Sequence, residues 1–165
     1  MITKPKITQI LFATDLSENA NCAFGYATSM ADAYGASVTV LHVLEKIPPK
    51  AELMLALLLE YRDVDELRQK NQTDLIKHIQ TRIERFCSEA VDQIPECRII
   101  LQKIIVEPGK AADRIIHHTA TGVYDALVIG SRGHSPIQEA LLGGTAHKVL
   151  HRCRVPVFVV PLLNE

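Results

Sequence analysis

The sequence predicts an α/β fold in which helices cover both faces of a five-stranded parallel sheet, a three-layer α/β/α arrangement. Three observations predict it. Short runs rich in Val, Ile and Leu alternate with segments whose apolar residues recur at three- and four-residue steps, the pattern of strand–helix units. The last two runs, Ala126-Leu-Val-Ile129 and Val155-Pro-Val-Phe-Val-Val160, are nearly unbroken in apolar character, as strands buried on both faces are. Glycines punctuate the joints, with Gly35 and Gly122 after helical segments and Gly130 after a strand.

Taken in order, Ile7 to Ala13 reads as the first strand, ended by Thr14-Asp15-Leu16-Ser17. Ser17 is the expected N-cap of the first helix. Ala20, Ala23, Phe24, Ala27, Ala31 and Tyr34 form that helix's apolar face, and Gly35 stops it. Ala36 to Leu44 is the second strand, rich in β-branched residues. Pro48-Pro49 breaks regular structure, and Ala51 to Tyr61 is a short, very apolar helical run. A long amphipathic helix is expected from about Val64 to Val91, its buried face marked by Leu75, Ile79, Ile83, Phe86, Cys87 and Ala90, with Pro95 ending the helical region. Arg98 to Val106 is the third strand and Glu107-Pro-Gly-Lys110 a turn. A helix with Ala111, Ala112, Ile115, Ile116 and Thr119 inward runs to Gly122, and Tyr124 to Gly130 is the fourth strand. A final helix is expected over Ala146 to Arg152, and Val155 to Val160 is the fifth strand.

At 165 residues the whole chain, 1–165, is expected to form one domain. Hydrophobic content of 47%, charged content of 22% and a net charge of −1 fit a globular protein and argue against a general electrostatic grip on nucleic acid. No stretch approaches the ~20 apolar residues of a membrane span. Met1-Ile-Thr-Lys-Pro-Lys6 leads into a strand without an apolar leader core, so the cytoplasm is the default location. The four cysteines are scattered, which suits free thiols in a reducing compartment. No metal is assigned from protein ligands alone.

Ligands of open α/β sheets bind where the strand order reverses, at the carboxyl ends of the strands. With order 3-2-1-4-5 that point lies between strands 1 and 4, so Ala13-Thr14-Asp15 faces Gly130-Ser131-Arg132-Gly133 across one crevice. Glycines at 130, 133 and 143 let backbone N–H groups approach an anion closely. The turn at Gly143-Gly144-Thr145 also opens a helix, whose first N–H groups carry partial positive charge. Strand, glycine turn and helix N-terminus together suit a phosphate. Gly143-Gly144 inside a helix would cost roughly 1 kcal/mol per glycine against alanine, which argues for a built loop.

Gly-x2-Gly-x9-Gly in this setting resembles the nucleotide-binding motif of the universal stress protein family. The resemblance extends to Ile10-Leu-Phe-Ala-Thr-Asp15-Leu-Ser, Leu41-His-Val43, Val128-Ile-Gly-Ser-Arg-Gly133 and Val155 to Val160. It implies a fold of the adenine nucleotide alpha hydrolase-like kind and ATP or a related adenine nucleotide as ligand, with or without Mg²⁺. By position it puts Ala13 and Thr14 beside adenine and ribose, with Ala13 where a proline is frequent, and Asp15 at the ribose hydroxyls. It puts the Val43 backbone at the adenine edge, and Gly130, Ser131, Arg132, Gly133, Gly143, Gly144 and Thr145 around the phosphates. It also implies a homodimer through the Val155–Val160 edge strand, whose exposed backbone invites pairing. The chain departs from the pattern at Gly144, where the family has Ser or Thr; the hydroxyl comes one residue later, at Thr145.

Blander roles stand beside these. Asp15 either meets a ribose or caps the first helix with Ser17. Arg132 either contacts phosphate or is solvated, and His134, His147 and Lys110 read as surface residues. The Met54–Tyr61 run covers the sheet, lines the cleft mouth or meets a partner. A receiver-type domain is disfavoured, because strand 3 ends without the needed acid and strand 5 has no lysine. The leading function is a nucleotide-responsive stress or regulatory module. The alternatives are a slow ATP hydrolase, for which no phosphate-loop lysine or evident general base exists, and an interaction protein of the same fold without nucleotide.

Overall fold

The computed structural model describes residues 3–45, 64–93, 101–133 and 142–161. Among them are strands β1 (Gln9–Thr14), β2 (Ser37–Leu44), β3 (Leu101–Pro108), β4 (Ala126–Gly130) and β5 (Val157–Val160). Helices α1 (Glu18–Tyr34), α2 (Val64–Gln93), α3 (Ala111–Ala120) and α4 (Gly144–Arg152) alternate with them. The strands form one sheet in the order β3-β2-β1-β4-β5, the expected order. All pairings are parallel, with Ile10 opposite Val38 and Ala126, and Ala13 opposite Leu41 and Ile129. The Ala51–Tyr61 run, Pro95, the expected strand start at Arg98 and the side chains of Leu75, Cys87 and Ala90 lie outside the described residues.

Strand periodicity splits β1 between two cores, because successive side chains point to opposite faces. Ile10 and Phe12 join Val38, Val40 and Val128 under α1 and α2, against Ala23, Phe24, Ala27, Ile79 and Ile83. Phe24 links the layers, its ring 5.4 Å from Phe12 and 5.1 Å from Phe86. Leu11 and Ala13 join Leu41, Leu127 and Ile129 under α3 and α4, against Ala112, Ile115, Ala146 and Val149. Alanines on α1 and α4 let those helices sit close to the sheet.

Several boundaries move for identifiable reasons. β1 begins at Gln9 and not Ile7, because Thr8 gives its N–H to the Asp125 side chain at 2.7 Å and not to a neighbouring strand. β3 continues two residues into the expected turn: Glu107 pairs with Val43 and Pro108 with Leu44. Pro108 is tolerated because β3 is an edge strand, where a missing N–H breaks no ladder. β5 begins after Pro156. α4 begins at Gly144, two residues before the expected start. Gly35 ends α1 in the left-handed conformation expected of it, φ 63° and ψ 36°, its N–H turned back to Ala31 and Asp32. Cys22 and Cys153 are free thiols.

Candidate functional site

The carboxyl ends of β1 and β4 open onto a cleft of about 450 Å³, within the range of small-molecule sites. Every residue expected at the site lines it: Ala13, Thr14, Asp15, Val43, Gly130, Ser131, Arg132, Gly133, Gly143, Gly144 and Thr145. The lining also includes Ala20, Leu41, His42, Leu44, Glu45, Ala111, Ile115, Ile129 and Ala146, to which the sequence assigned no role in the site. Buried apolar Ala13, Leu41, Ile115 and Ile129 give it an apolar side. Two turns supply the polar side.

The first turn winds around its own side chains. Thr14 Oγ1 accepts the Leu16 N–H at 3.0 Å, and Asp15 Oδ1 accepts the Ser17 N–H at 3.0 Å and the Ser17 hydroxyl at 2.6 Å. Leu16 is forced to φ 62°, a left-handed conformation costing a bulky residue about 1–2 kcal/mol. That kink aims the other carboxylate oxygen of Asp15 at Gly133: a Cβ on Gly133 would collide with Oδ2. Ser17 holds the N-cap position and makes no side-chain cap bond; its hydroxyl donates to Asp15 Oδ1, which also accepts its N–H. The expected N-cap position stands without a side-chain cap bond, and Asp15 and Ser17 bond to each other and brace the turn.

The second turn is stitched to the sheet. Ser131 is buried; its N–H reaches the Val160 carbonyl at 2.7 Å and its carbonyl accepts the Gly143 N–H at 2.7 Å. Gly130–Gly133 and Gly143–Thr145 are thereby held side by side. A Cβ on Gly143 would lie 3.3 Å from the Ser131 carbonyl oxygen, so close approach explains that glycine. Gly144 is different: a Cβ there meets nothing within 4 Å. It is the first residue of α4, and Gly143 before it makes no side-chain cap bond. The helix's leading N–H groups, with the partial charge of a helix start, border the cleft. Thr145 falls in the first helical turn and is half-buried.

His42 is the residue whose role sequence reasoning missed. It is 9% exposed, and its Nδ1 lies 2.8 Å from the Thr14 carbonyl oxygen. A carbonyl only accepts, so Nδ1 carries the proton. The bond pins the last carbonyl of β1 to β2 at the strand-order reversal. A lone polar residue in Val-Leu-His-Val was the available signal. Glu45 is a second addition: its Oε1 stands 3.4 Å from the Ala111 N–H at the start of α3. Arg132 is half-buried and is the guanidinium bordering the cleft among the described residues; exposed Lys110 lies outside it. Glu107, Arg114 and His118 form a separate cluster on β3 and α3. Arg114 donates to both Glu107 oxygens at 2.8 and 2.7 Å, and His118 Nε2 lies 2.8 Å from Oε1. The Arg114 hydrogen bond, then that of His118, holds the Glu107 carboxyl below its ordinary range, against the opposing effect of burial.

Among the described residues no group of three or more His, Cys, Asp or Glu is placed to hold a metal, and no helix is long and apolar enough to cross a membrane.

A model of the universal stress protein family matches residues 6–161. The chain is 26% identical over 153 residues to universal stress protein YxiE of Bacillus subtilis, covering 92% of this chain and 97% of that one. It is 25% identical over 161 residues to universal stress protein MJ0577 of Methanocaldococcus jannaschii, covering 95% and 96%. The solved structure of MJ0577 shares the fold with a TM-score of 0.74 at 22% identity, over 98% of this chain and all (100%) of that one. A universal stress protein crystallised in complex with cAMP shares it with a TM-score of 0.57 at 19% identity, over 95% and 98%.

Proposed function

This chain belongs to the universal stress protein family, and we propose that it binds ATP or a related adenine nucleotide in the β1/β4 cleft and acts as a cytoplasmic, nucleotide-responsive stress module. The observation that carries this reading is the meeting of Asp15 with Gly133 across the strand-order reversal. It sets a carboxylate, suited to accept hydrogen bonds from ribose hydroxyls, against a glycine turn. That turn is tied to a helix start whose N–H groups suit phosphate. The apolar side near Leu41 and Val43 suits a base. The cAMP complex of a structural relative supports the ligand class. Gly144 removes a hydroxyl but keeps an N–H, so the phosphates would be held by backbone and Thr145.

Calorimetry of the nucleotide-stripped chain with ATP, ADP, AMP and cAMP, each with and without Mg²⁺, tests it. Micromolar binding of at least one, about −8 kcal/mol, is expected; no binding below millimolar concentration by any of them defeats the reading.

The module is further proposed to dimerise through the β5 edge. Phe158 on β5 is 41% exposed and its ring lies 5.9 Å from that of Tyr26, itself 44% exposed, so an apolar pair flanks the open edge. Phe158, more than the half-buried Val159, is the side chain to alter. Phe158→Asp should halve the mass seen by light scattering, and a monomeric wild type would exclude the dimer.

A further inference from the structure

We propose that His147 and His151 form a binding site for a borderline transition-metal ion of the Zn²⁺, Ni²⁺ or Cu²⁺ class. The two residues stand four apart on α4, the spacing that puts side chains one above the other on a helix. Ala146 and Val149 are the buried residues of α4, and both histidines are exposed on its outer side. Their ring centroids are 4.6 Å apart at an interplanar angle of 59°. Two imidazole nitrogens that share an ion at about 2.0–2.1 Å stand roughly 3 Å apart, a spacing compatible with this centroid separation. Among the described residues neither ring makes a hydrogen bond or ion pair, and each has the other as its aromatic neighbour. Nothing there competes with a metal for the nitrogens.

The surroundings choose the class of ion. Lys148 is exposed beside the pair, and Arg152 follows it, 3.5 Å from Asp113 across to α3. A positive rim disfavours hard cations such as Mg²⁺ and Ca²⁺, which need oxygen ligands and local negative charge. Ions that bond strongly to imidazole are selected instead, with Cu²⁺ tightest in the general order of affinities. Exposed ammonium and guanidinium groups are screened by salt and do not close the site. With two protein ligands, water fills the remaining positions. The chelate spans one turn of the helix whose first turn borders the cleft, and the His147 N–H is itself bonded to the Gly143 carbonyl at 2.9 Å. Metal would therefore brace the start of α4. His117 and His118 provide an internal contrast: adjacent in sequence, they have centroids 5.9 Å apart, and His118 is already engaged by Glu107.

The test is titration of the full chain, reduced and free of nucleotide, with NiCl₂ and ZnCl₂ by calorimetry, with melting temperature as a second readout. One ion per chain is expected, with affinity falling at least tenfold in His147→Ala and in His151→Ala. It should be unchanged in His117→Ala and His118→Ala. Moving the second ligand off the shared face, with His151→Ala and Arg152→His together, keeps the histidine count and should not restore binding. Saturating metal should raise the wild-type melting temperature by about 3 °C or more and leave the single variants unmoved. Equal affinity in wild type and either single variant, full restoration by the displaced histidine, or no binding by wild type below millimolar metal would overturn the site.

Discussion

Asp125 and Asp15 stand at opposite ends of the same pair of strands, one immediately before β4 and the other immediately after β1. At the amino end, Oδ2 of Asp125 accepts the Thr8 N–H at 2.7 Å, the Thr8 hydroxyl at 2.8 Å and the Gln9 N–H at 3.0 Å. The Asp125 N–H in turn reaches the Gln9 carbonyl. The Thr8 backbone bond, followed by its hydroxyl, holds this carboxyl below the ordinary range. At the carboxyl end, Asp15 braces its turn through Oδ1 and directs Oδ2 towards Gly133 in the cleft. One acid joins the start of β1 to the start of β4; the other shapes a cavity. The difference follows from strand direction: parallel strands gather the loops that can hold a ligand at their carboxyl ends.

Exchanging each acid for alanine is the most direct way to break this contrast. Asp125→Ala strands the N–H groups of Thr8 and Gln9, and should cost about 2 kcal/mol of stability, a fall of about 4–8 °C in melting temperature. Its nucleotide affinity should stay within about twofold. Asp15→Ala should do the reverse, weakening ATP binding at least tenfold, about 1.4 kcal/mol, with a smaller loss of stability. If both variants lose stability alike and affinity not at all, the two ends do the same work and the contrast fails.

Gly133→Val sharpens the cleft side of the comparison. Its Cβ would displace the Asp15 carboxylate and break the Ser17 bonds, so ATP affinity should fall at least tenfold. In an Asp15→Ala background the same substitution should cost less, because its obstacle is gone; additive effects in the double-mutant cycle would contradict the contact.

Acidification probes the structural acids. Asp125 and Glu107 both have folded pKa values below their ordinary ones. Between those values and the unfolded ones near 4, the unfolded chain binds more protons, so stability rises with pH. Their contribution is complete above about pH 5 and is lost as pH falls through the folded values. Melting curves from pH 5 to pH 2.5 should therefore be shallower in Asp125→Asn with Glu107→Gln than in wild type; parallel curves would remove these acids from the account.

The smallest effect is expected at Gly144→Ser. The open space there admits a side chain, and serine gains about 0.5 kcal/mol over glycine in a helix. A hydroxyl restored at this position should tighten ATP a few-fold and leave AMP unchanged. Equal changes for both nucleotides would place the phosphates elsewhere.

The parts of this protein that could be read from sequence are those written locally. Gly35 ends α1 because few other residues accept φ 63° there. The alternation of Ile10, Leu11, Phe12 and Ala13 fixes which side chain meets which helix layer. Thr14, Asp15 and the 130–145 glycines could be placed on one crevice because strand order and chain direction suffice to bring them there. Less was legible where a contact joins distant segments. Thr8 and Asp125 are 117 residues apart, and His42 reaches Thr14 over a separation of 28. Neither pairing leaves a periodic trace. The left-handed Leu16 was also hidden, since nothing in a leucine advertises positive φ.

By itself, then, the sequence determined the alternation of strands and helices, the two-faced core and the glycine spacing of the cleft, because backbone propensity and apolar period act over a few residues. Tertiary structure alone decided that Asp15 braces Ser17 while facing Gly133, and that Asp125 clamps the far end. These depend on directions of side chains and on close approach in space, which are fixed only when the sheet twists its strands into register and the helices close over them.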